Sequence, residues 1–484
     1  MKRQISTERK PWIRAAVYSF MTLSVTVIVA LLMLIVLGYQ FNNKDGRIEQ
    51  GGLLQFQSIP TGANVTLDEA KLGSTTNTKS TVDTGNHYVQ YNLQGYRTWQ
   101  KSINIAAGQI GWLSYARMIP TTITPKNVHT YPTLTGALAA PSRNYMLLHE
   151  QADSPVFTLV NIQNDTTAYD TLLLPNSSYT APLPGKTQTF TMDSWSDNDN
   201  AVLISHTYDD NKTEWIVLER SSPEKSINLN TTYGIAPAKV QFAGGGDRLL
   251  FAYSDSTVRR INLDEQTLSR PLATNVASFN GYDDKTIIFA TNPDVKNQRM
   301  VGYAAVDISD PVILGVYAAD GQPLYAAMGS YFGQHYVGVI HGQSLVVTTG
   351  SLPTLTDKGS MNIFATQAIP AGTTKFEISR NNRFFVAQLP DGYATYDIEL
   401  NKYDKTAWAV QSPASTINWL DDYMLWSENG NELRFYEFDG ANQQNIMTAL
   451  DGYGASLSND DKYIYDVTKT EKGFELQRAL LALH

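Results

Sequence analysis

From Ala15 to Asn43 the chain runs 29 residues without a charged side chain, and its centre, Val25 to Leu37, is almost wholly apolar. A bilayer core of roughly 30 Å is crossed by about 20 apolar residues in a helix. The run is long enough to span, and no later segment matches it. The expectation is a transmembrane signal-anchor helix over residues 15–43. Its flanks set the orientation. Lys2, Arg3, Arg9, Lys10 and Arg14 stand before it against Glu8 alone, while Lys44 and Arg47 after it are balanced by Asp45 and Glu49. Cationic flanks stay cytoplasmic. Residues 1–14 therefore read as a cytoplasmic tail and the bulk of the chain as extracytoplasmic. A cleaved signal peptide is the rival reading, with Val36-Leu37-Gly38 as a weak cleavage site, but signal h-regions are shorter, about 7–15 residues.

The chain has no cysteine. Disulfides, thiol nucleophiles, Cys-ligated metals and a lipid-bearing cysteine are thereby excluded, and the helix is left as the tether. Net charge is −9, of which residues 1–14 carry +4, leaving −13 on the rest. A domain that acidic, with no basic cluster larger than Arg259-Arg260 beyond residue 47, lacks the phosphate-binding patches that nucleic acid requires.

Residues 51–121 read as short strands broken by turns. Val65 and Leu67 share one face of a strand, His87 to Tyr91 alternates again, and Ile103 and Ile105 mark a further strand. The spaced run Ser58-x-Pro60-x-Gly62-Ala63-x-Val65-x-Leu67-Asp68, then Leu72-Gly73-x-Thr75, Gly85-x-His87-x-Val89 and Gly95-Tyr96, resembles a PEGA domain. Two positions depart from that family: Thr61 stands where it has Glu, and Thr76 where it usually has Pro. The resemblance implies a small β-sandwich of extracytoplasmic proteins, with no catalytic residue.

From about residue 126 a unit recurs: a polar turn, then an apolar triplet, then a further loop and strand. The turns precede Met146-Leu147-Leu148, Val202-Leu203-Ile204, Leu249-Leu250-Phe251, Ile287-Ile288-Phe289, Val337 to Ile340, Phe384-Phe385-Val386, Met424-Leu425-Trp426 and Tyr463-Ile464-Tyr465. Spacing between successive starts averages about 45 residues, the period of a four-stranded propeller blade. Each start resembles, in degraded form, the Ser-Pro-Asp-Gly-Lys-x-Leu turn of TolB-type propellers; Ser458-Asn459-Asp460-Asp461-Lys462 is the nearest instance. A seven- or eight-bladed propeller over residues 126–484 is expected, with one blade built from strands of both ends. A stack of β-sandwiches is the alternative fold, disfavoured by the even spacing.

No pattern of catalytic or metal-binding residues emerges. The histidines are His87, His129, His149, His206, His335, His341 and His484, without ligand spacing; His335 and His341 belong at opposite ends of one strand. Asp193, Asp197 and Asp199, with Asp209 and Asp210 beyond, form the densest acidic stretch, an oxygen set that suits calcium but equally caps turns. Gly244-Gly245-Gly246 leads into a strand rather than a helix, so it reads as a turn and not a phosphate loop. Nucleophile motifs are missing. The 52 aromatic residues suit a core of packed sheets first and a binding surface second. No catalytic, cofactor-binding or metal-binding residue is assigned.

These expectations amount to a mainly β, single-pass membrane protein of the bacterial cell envelope, not an enzyme. It would bind an envelope protein or cell-wall polysaccharide through propeller loops and not bind nucleic acid. An enzyme acting on envelope or host polysaccharide is one alternative; a sensory or secretion-linked component whose short tail meets a cytoplasmic partner is another.

Overall fold

The computed structural model describes residues 10–36, 39–42, 47–164, 167–408 and 416–483. The chain divides into two compact units, with the boundary between Thr122 and Ile123.

In the first unit, helix α1 spans Lys10–Val36. Its stretch Trp12–Leu34 is 23 residues long, apolar, and has no side chain buried by the rest of the chain. The helix begins five residues earlier than the uncharged run, since lysine and arginine are good helix formers and do not interrupt it. It also stops earlier. Tyr39–Asn42 (β1), expected inside the span, pairs instead with Arg47–Gln50 (β2) in an antiparallel hairpin; Tyr39-Gln40-Phe41-Asn42 alternates apolar and polar residues at the strand period.

Seven more strands build a two-sheet module: β3 (Gly52–Ile59), β4 (Asn64–Leu67), β5 (Ala70–Thr75), β6 (Thr78–Val82), β7 (Gly85–Asn92), β8 (Trp99–Ile105) and β9 (Ile110–Arg117). One sheet has the order β6-β3-β9, with β3 and β9 parallel, and the other β5-β4-β7-β8. Leu54, Phe56, Val65, Tyr91, Trp99 and Leu113 form the core they share. The Tyr91 ring stacks on Trp99 at 4.6 Å, and its hydroxyl donates to the Leu113 carbonyl at 3.0 Å, so a buried polar tip is satisfied. Thr76, one of the two residues that depart from the motif, has a defined task. Its hydroxyl oxygen accepts from the N–H groups of Gly62 (2.9 Å) and Ala63 (3.0 Å) and bonds Ser58 Oγ at 2.7 Å. It thereby fixes the Pro60–Ala63 turn.

The second unit contains eight four-stranded antiparallel sheets among the described residues, a pattern consistent with propeller blades. Seven follow in chain order, over residues 136–173, 188–228, 239–268, 276–318, 324–368, 375–407 and 418–448. The eighth takes three strands from 456–480 and its outermost strand, Lys126–Tyr131 (β10), from the start of the unit; β10 pairs with Gly473–Leu480. All eight apolar triplets fall in the second strand of their sheet. Several neighbouring sheets share apolar clusters. Leu147 and Phe157 meet Val202 and Ile204, for example, and Phe251 meets Phe289. The eighth sheet packs back on the first through Tyr465, Val467 and Leu476 against Met146, Leu148 and Val160. Large buried rings, including Tyr393, Tyr396, Tyr436 and Tyr465, fill these layers.

Three of the turns before the triplets share one chemistry. Ser196, Ser379 and Ser458 each bond Asn198, Asn381 or Asp460 two residues on, and each accepts the N–H five residues on at 2.9–3.0 Å. Where the resembled pattern has glycine, Asp199, Asn382 and Asp461 take left-handed conformations with φ of 59°, 57° and 60°; short side chains that bond locally tolerate that region.

Candidate functional site

A cavity of about 570 Å³ opens where the first strands of the first, seventh and eighth sheets converge. Those strands are Gly136–Ala139, Asn418–Trp419 and Ser456–Leu457. Leu138, Leu420 and Leu457 give it an apolar wall; Trp419 and Trp426 add two indoles; Arg143, Arg380, Asp421 and Asp422 also line it. Trp419 lies against Phe384 at 5.7 Å, and its indole N–H is buried without an acceptor. Arg143 is engaged by Asp461 at 2.6 Å. Asp421 caps its own turn, accepting from Tyr423 and Met424 N–H at 2.9 and 2.8 Å.

Glu428, at the end of strand Met424–Glu428, is the one side chain of this wall that is both ionisable and almost wholly buried. Its Oε2 accepts from the N–H groups of Gly452 (2.5 Å) and Tyr453 (3.1 Å). Asp466, a fully buried residue in the second strand of the eighth sheet, lies within its electrostatic reach. Asp466 Oδ1 takes the Val467 N–H at 2.6 Å. Glu428 Oε1 and Asp466 Oδ2 have no donor when both groups are written as carboxylates. Two carboxylates offer each other only lone pairs, so a direct hydrogen bond between them would need one of them protonated. Burial, opposed by the backbone N–H bonds, pushes the Glu428 carboxyl up to about 7. Burial, and then the charge of Glu428, pushes Asp466 well above the carboxylate range, and Asp451 adds to it. The two groups titrate as a pair. A carboxyl that titrates near pH 7 at a cavity wall has the protonation behaviour of an acid–base group.

The histidines lie apart from this cavity. His206 is fully buried, bonded to Glu214 at 2.8 Å and stacked on Phe190 at 4.3 Å. His87 bridges Asp68 (2.7 Å) and the Asp83 carbonyl (2.8 Å) within the small module. His149 bonds the Ser154 carbonyl. His335 and His341 occupy opposite ends of strand Gln334–His341, and His484 lies outside the described residues. The acidic stretch does not converge either. Asp197 accepts the Gly245 N–H at 2.9 Å, Asp199 holds the Ser142 hydroxyl, and Asp209 takes the Leu183 N–H at 2.8 Å. These carboxylates tie turns together, as turn-capping predicts. Among the described residues no group of three or more His, Asp or Glu side chains is placed to hold a metal ion. Gly244 to Gly246 form the turn expected of them.

Sequence reasoning missed Glu428 and Asp466. They are 38 residues apart, and only folding joins them. One signal was present: Asp466 interrupts Tyr463-Ile464-Tyr465-Asp466-Val467, where an apolar residue is expected.

Comparisons with known proteins bear on the two units separately. Residues 52–118 match the PEGA domain, so the resemblance read from the spaced motifs holds. No curated protein matches the chain. Among solved structures, it is similar to one described as "Oligogalacturonate lyase in complex with manganese", at 12% identity over 68% of this chain and 98% of the other, with TM-score 0.36. Another, "KlHsv2 with loop 6CD replaced by a Gly-Ser linker", aligns at 9% identity over 65% of this chain and 97% of the other, with TM-score 0.39.

Proposed function

We propose that this chain is a single-pass, membrane-anchored extracytoplasmic binding or scaffold protein of the bacterial cell envelope. In this reading its eight sheets close as an eight-bladed propeller that displays partner-binding loops. The observation that carries the reading is an unburied apolar helix of spanning length, Trp12–Leu34, followed in the same unit by a PEGA module. An apolar surface of that size is at equilibrium in lipid rather than water. The cationic residues before it favour a cytoplasmic N-terminus. Loops on a rigid β frame are the usual place for recognition, and the partner would be an envelope protein or cell-wall polysaccharide.

The cysteine-free sequence makes the topology directly testable. Single cysteines at Ser6 and Ser221 would be treated in intact cells with a membrane-impermeant maleimide. Labelling of Ser221→Cys but not Ser6→Cys is expected. The reverse pattern, or recovery of both as soluble protein lacking the helix, refutes the anchor. In-cell crosslinking followed by capture through the chain tests the scaffold role, and recovery of no envelope component counts against it.

One observation favours a second reading, an enzyme acting on envelope or host polysaccharide: the buried carboxyl of Glu428, with its pKa pushed up to about 7, lines a cavity that contains two indoles. Hydrolysis or elimination of cell-wall glycan by the purified chain, abolished by Glu428→Gln, would establish it.

A further inference from the structure

A second cavity, of about 380 Å³, lies among the first strands of the third to sixth sheets, Lys239–Phe242, Val276–Gly281, Leu324–Tyr331 and Lys375–Ile378. We propose that this cavity binds a small organic anion, a carboxylate on an aromatic or apolar body, with Lys239 and Lys375 holding its charge. The proposal goes beyond the scaffold reading and does not depend on it.

Four rings line the cavity: Tyr253, Phe279, Tyr325 and Phe376. Against them stand two ammonium groups and no carboxylate. That is the reverse of the chain as a whole, which carries 46 acidic against 37 basic residues. An apolar lining with a few fixed charges, at this volume, is the make-up of a small-molecule site. Lys239 carries the argument furthest. Its ammonium lies 5.0 Å from the centre of the Phe279 ring, and Asp193 is the carboxylate whose field it feels. Burial lowers the affinity of Lys239 for its proton, and Asp193 restores that in part. Lys239 is nonetheless solvent-exposed at the start of its strand and makes no ion pair among the described residues, so its ammonium is open to an incoming anion. Lys375 pairs with Glu377 at 2.8 Å and would turn one of its remaining donors to the ligand. Ser278 and Thr374 add hydroxyls at the same wall. The rings would hold the body of the ligand by stacking.

The test uses the full chain in detergent micelles with indole-3-acetate as probe and indole-3-acetamide as its uncharged match, measured by titration calorimetry. Saturable binding of the acid is expected, with the amide at least tenfold weaker. Lys239→Gln should weaken the acid at least tenfold and leave the amide unchanged, while Lys239→Arg, which keeps the charge, retains most of the affinity. Glu428→Gln, at the other cavity, should bind as the parent does. Equal affinity for acid and amide, full affinity in Lys239→Gln, or no saturable binding of the acid up to 10 mM overturns the proposal. The acid–amide comparison is made on the unmodified chain, so it decides the matter even where a variant fails to fold. None of these results bears on topology or on partner capture, so the scaffold reading stands or falls separately.

Discussion

Replacing Glu428 with glutamine tests the raised pKa of this carboxyl directly. In the parent, the unfolded chain releases the Glu428 proton near its ordinary value of 4.5, while the folded chain keeps it to about 7. Below pH 4.5 both states are protonated and the group costs nothing. Between these values the unfolded state is favoured progressively as pH rises. Above about 7 the loss is complete. At about 1.4 kcal/mol per pH unit, the interval amounts to about 3 kcal/mol. Asp466, raised in the same way, adds a slope of its own. In Glu428→Gln the amide oxygen can accept from Gly452 and Tyr453, and the amide N–H₂ can donate to Asp466 Oδ2, so the contacts survive and one titration disappears. The assay is urea unfolding of the detergent-solubilised chain at pH 5 to 8, followed by tryptophan fluorescence. The variant should be close to the parent at pH 5 and more stable by about 3 kcal/mol at pH 8, with its pH slope reduced by about 1.4 kcal/mol per unit. Parallel pH profiles for parent and variant, or a variant weaker by the same amount at every pH, would refute the raised pKa.

Arg383 is buried against Asp397 (3.0 and 2.6 Å) and also meets Glu399; Arg383→Met strands a buried carboxylate and should cost about 3–5 kcal/mol by urea midpoint, most of it recovered when Asp397→Leu is added. Thr76→Val leaves the Gly62 and Ala63 N–H groups without their acceptor, which should cost about 2 kcal/mol and appear as faster amide exchange at both residues. The Asp68 carboxylate and the Asp83 carbonyl, outweighing burial, raise the imidazole pKa of His87. The His87–Asp68 contact is therefore strongest below His87's ordinary value of 6.5 and fades as pH rises through the folded value. An NMR titration should place His87 above 6.5 in the parent and lower in Asp68→Asn, and an ordinary value in the parent would contradict the contact.

Local chemistry made much of this architecture legible. Strand periodicity and turn residues act over a few positions, so the eight apolar triplets could be found one by one, and each occupies the second strand of its sheet. The PEGA module was legible for the same reason, because glycine and proline at fixed offsets set its turns. The ends of α1 were less legible. The absence of charge marks a lipid-compatible run, whereas helix ends follow backbone preferences, which admitted Lys10 at one end and gave Tyr39–Asn42 to a hairpin at the other. Thr76 looked like a blemish in a motif, and only the fold gives its hydroxyl two N–H donors from the turn opposite.

By itself, the sequence determined a chain with one greasy span, a turn-rich β module and an eight-fold β repeat, because each of these is encoded by residues close together. Tertiary structure alone decided which distant side chains meet. Asp466 in the eighth sheet feels the charge of Glu428 in the seventh, and Lys239 and Lys375 share a wall because four inner strands converge. A pairing of that kind has no local period: it depends on how sheets stack, and burial then sets the protonation that gives the pair its chemistry.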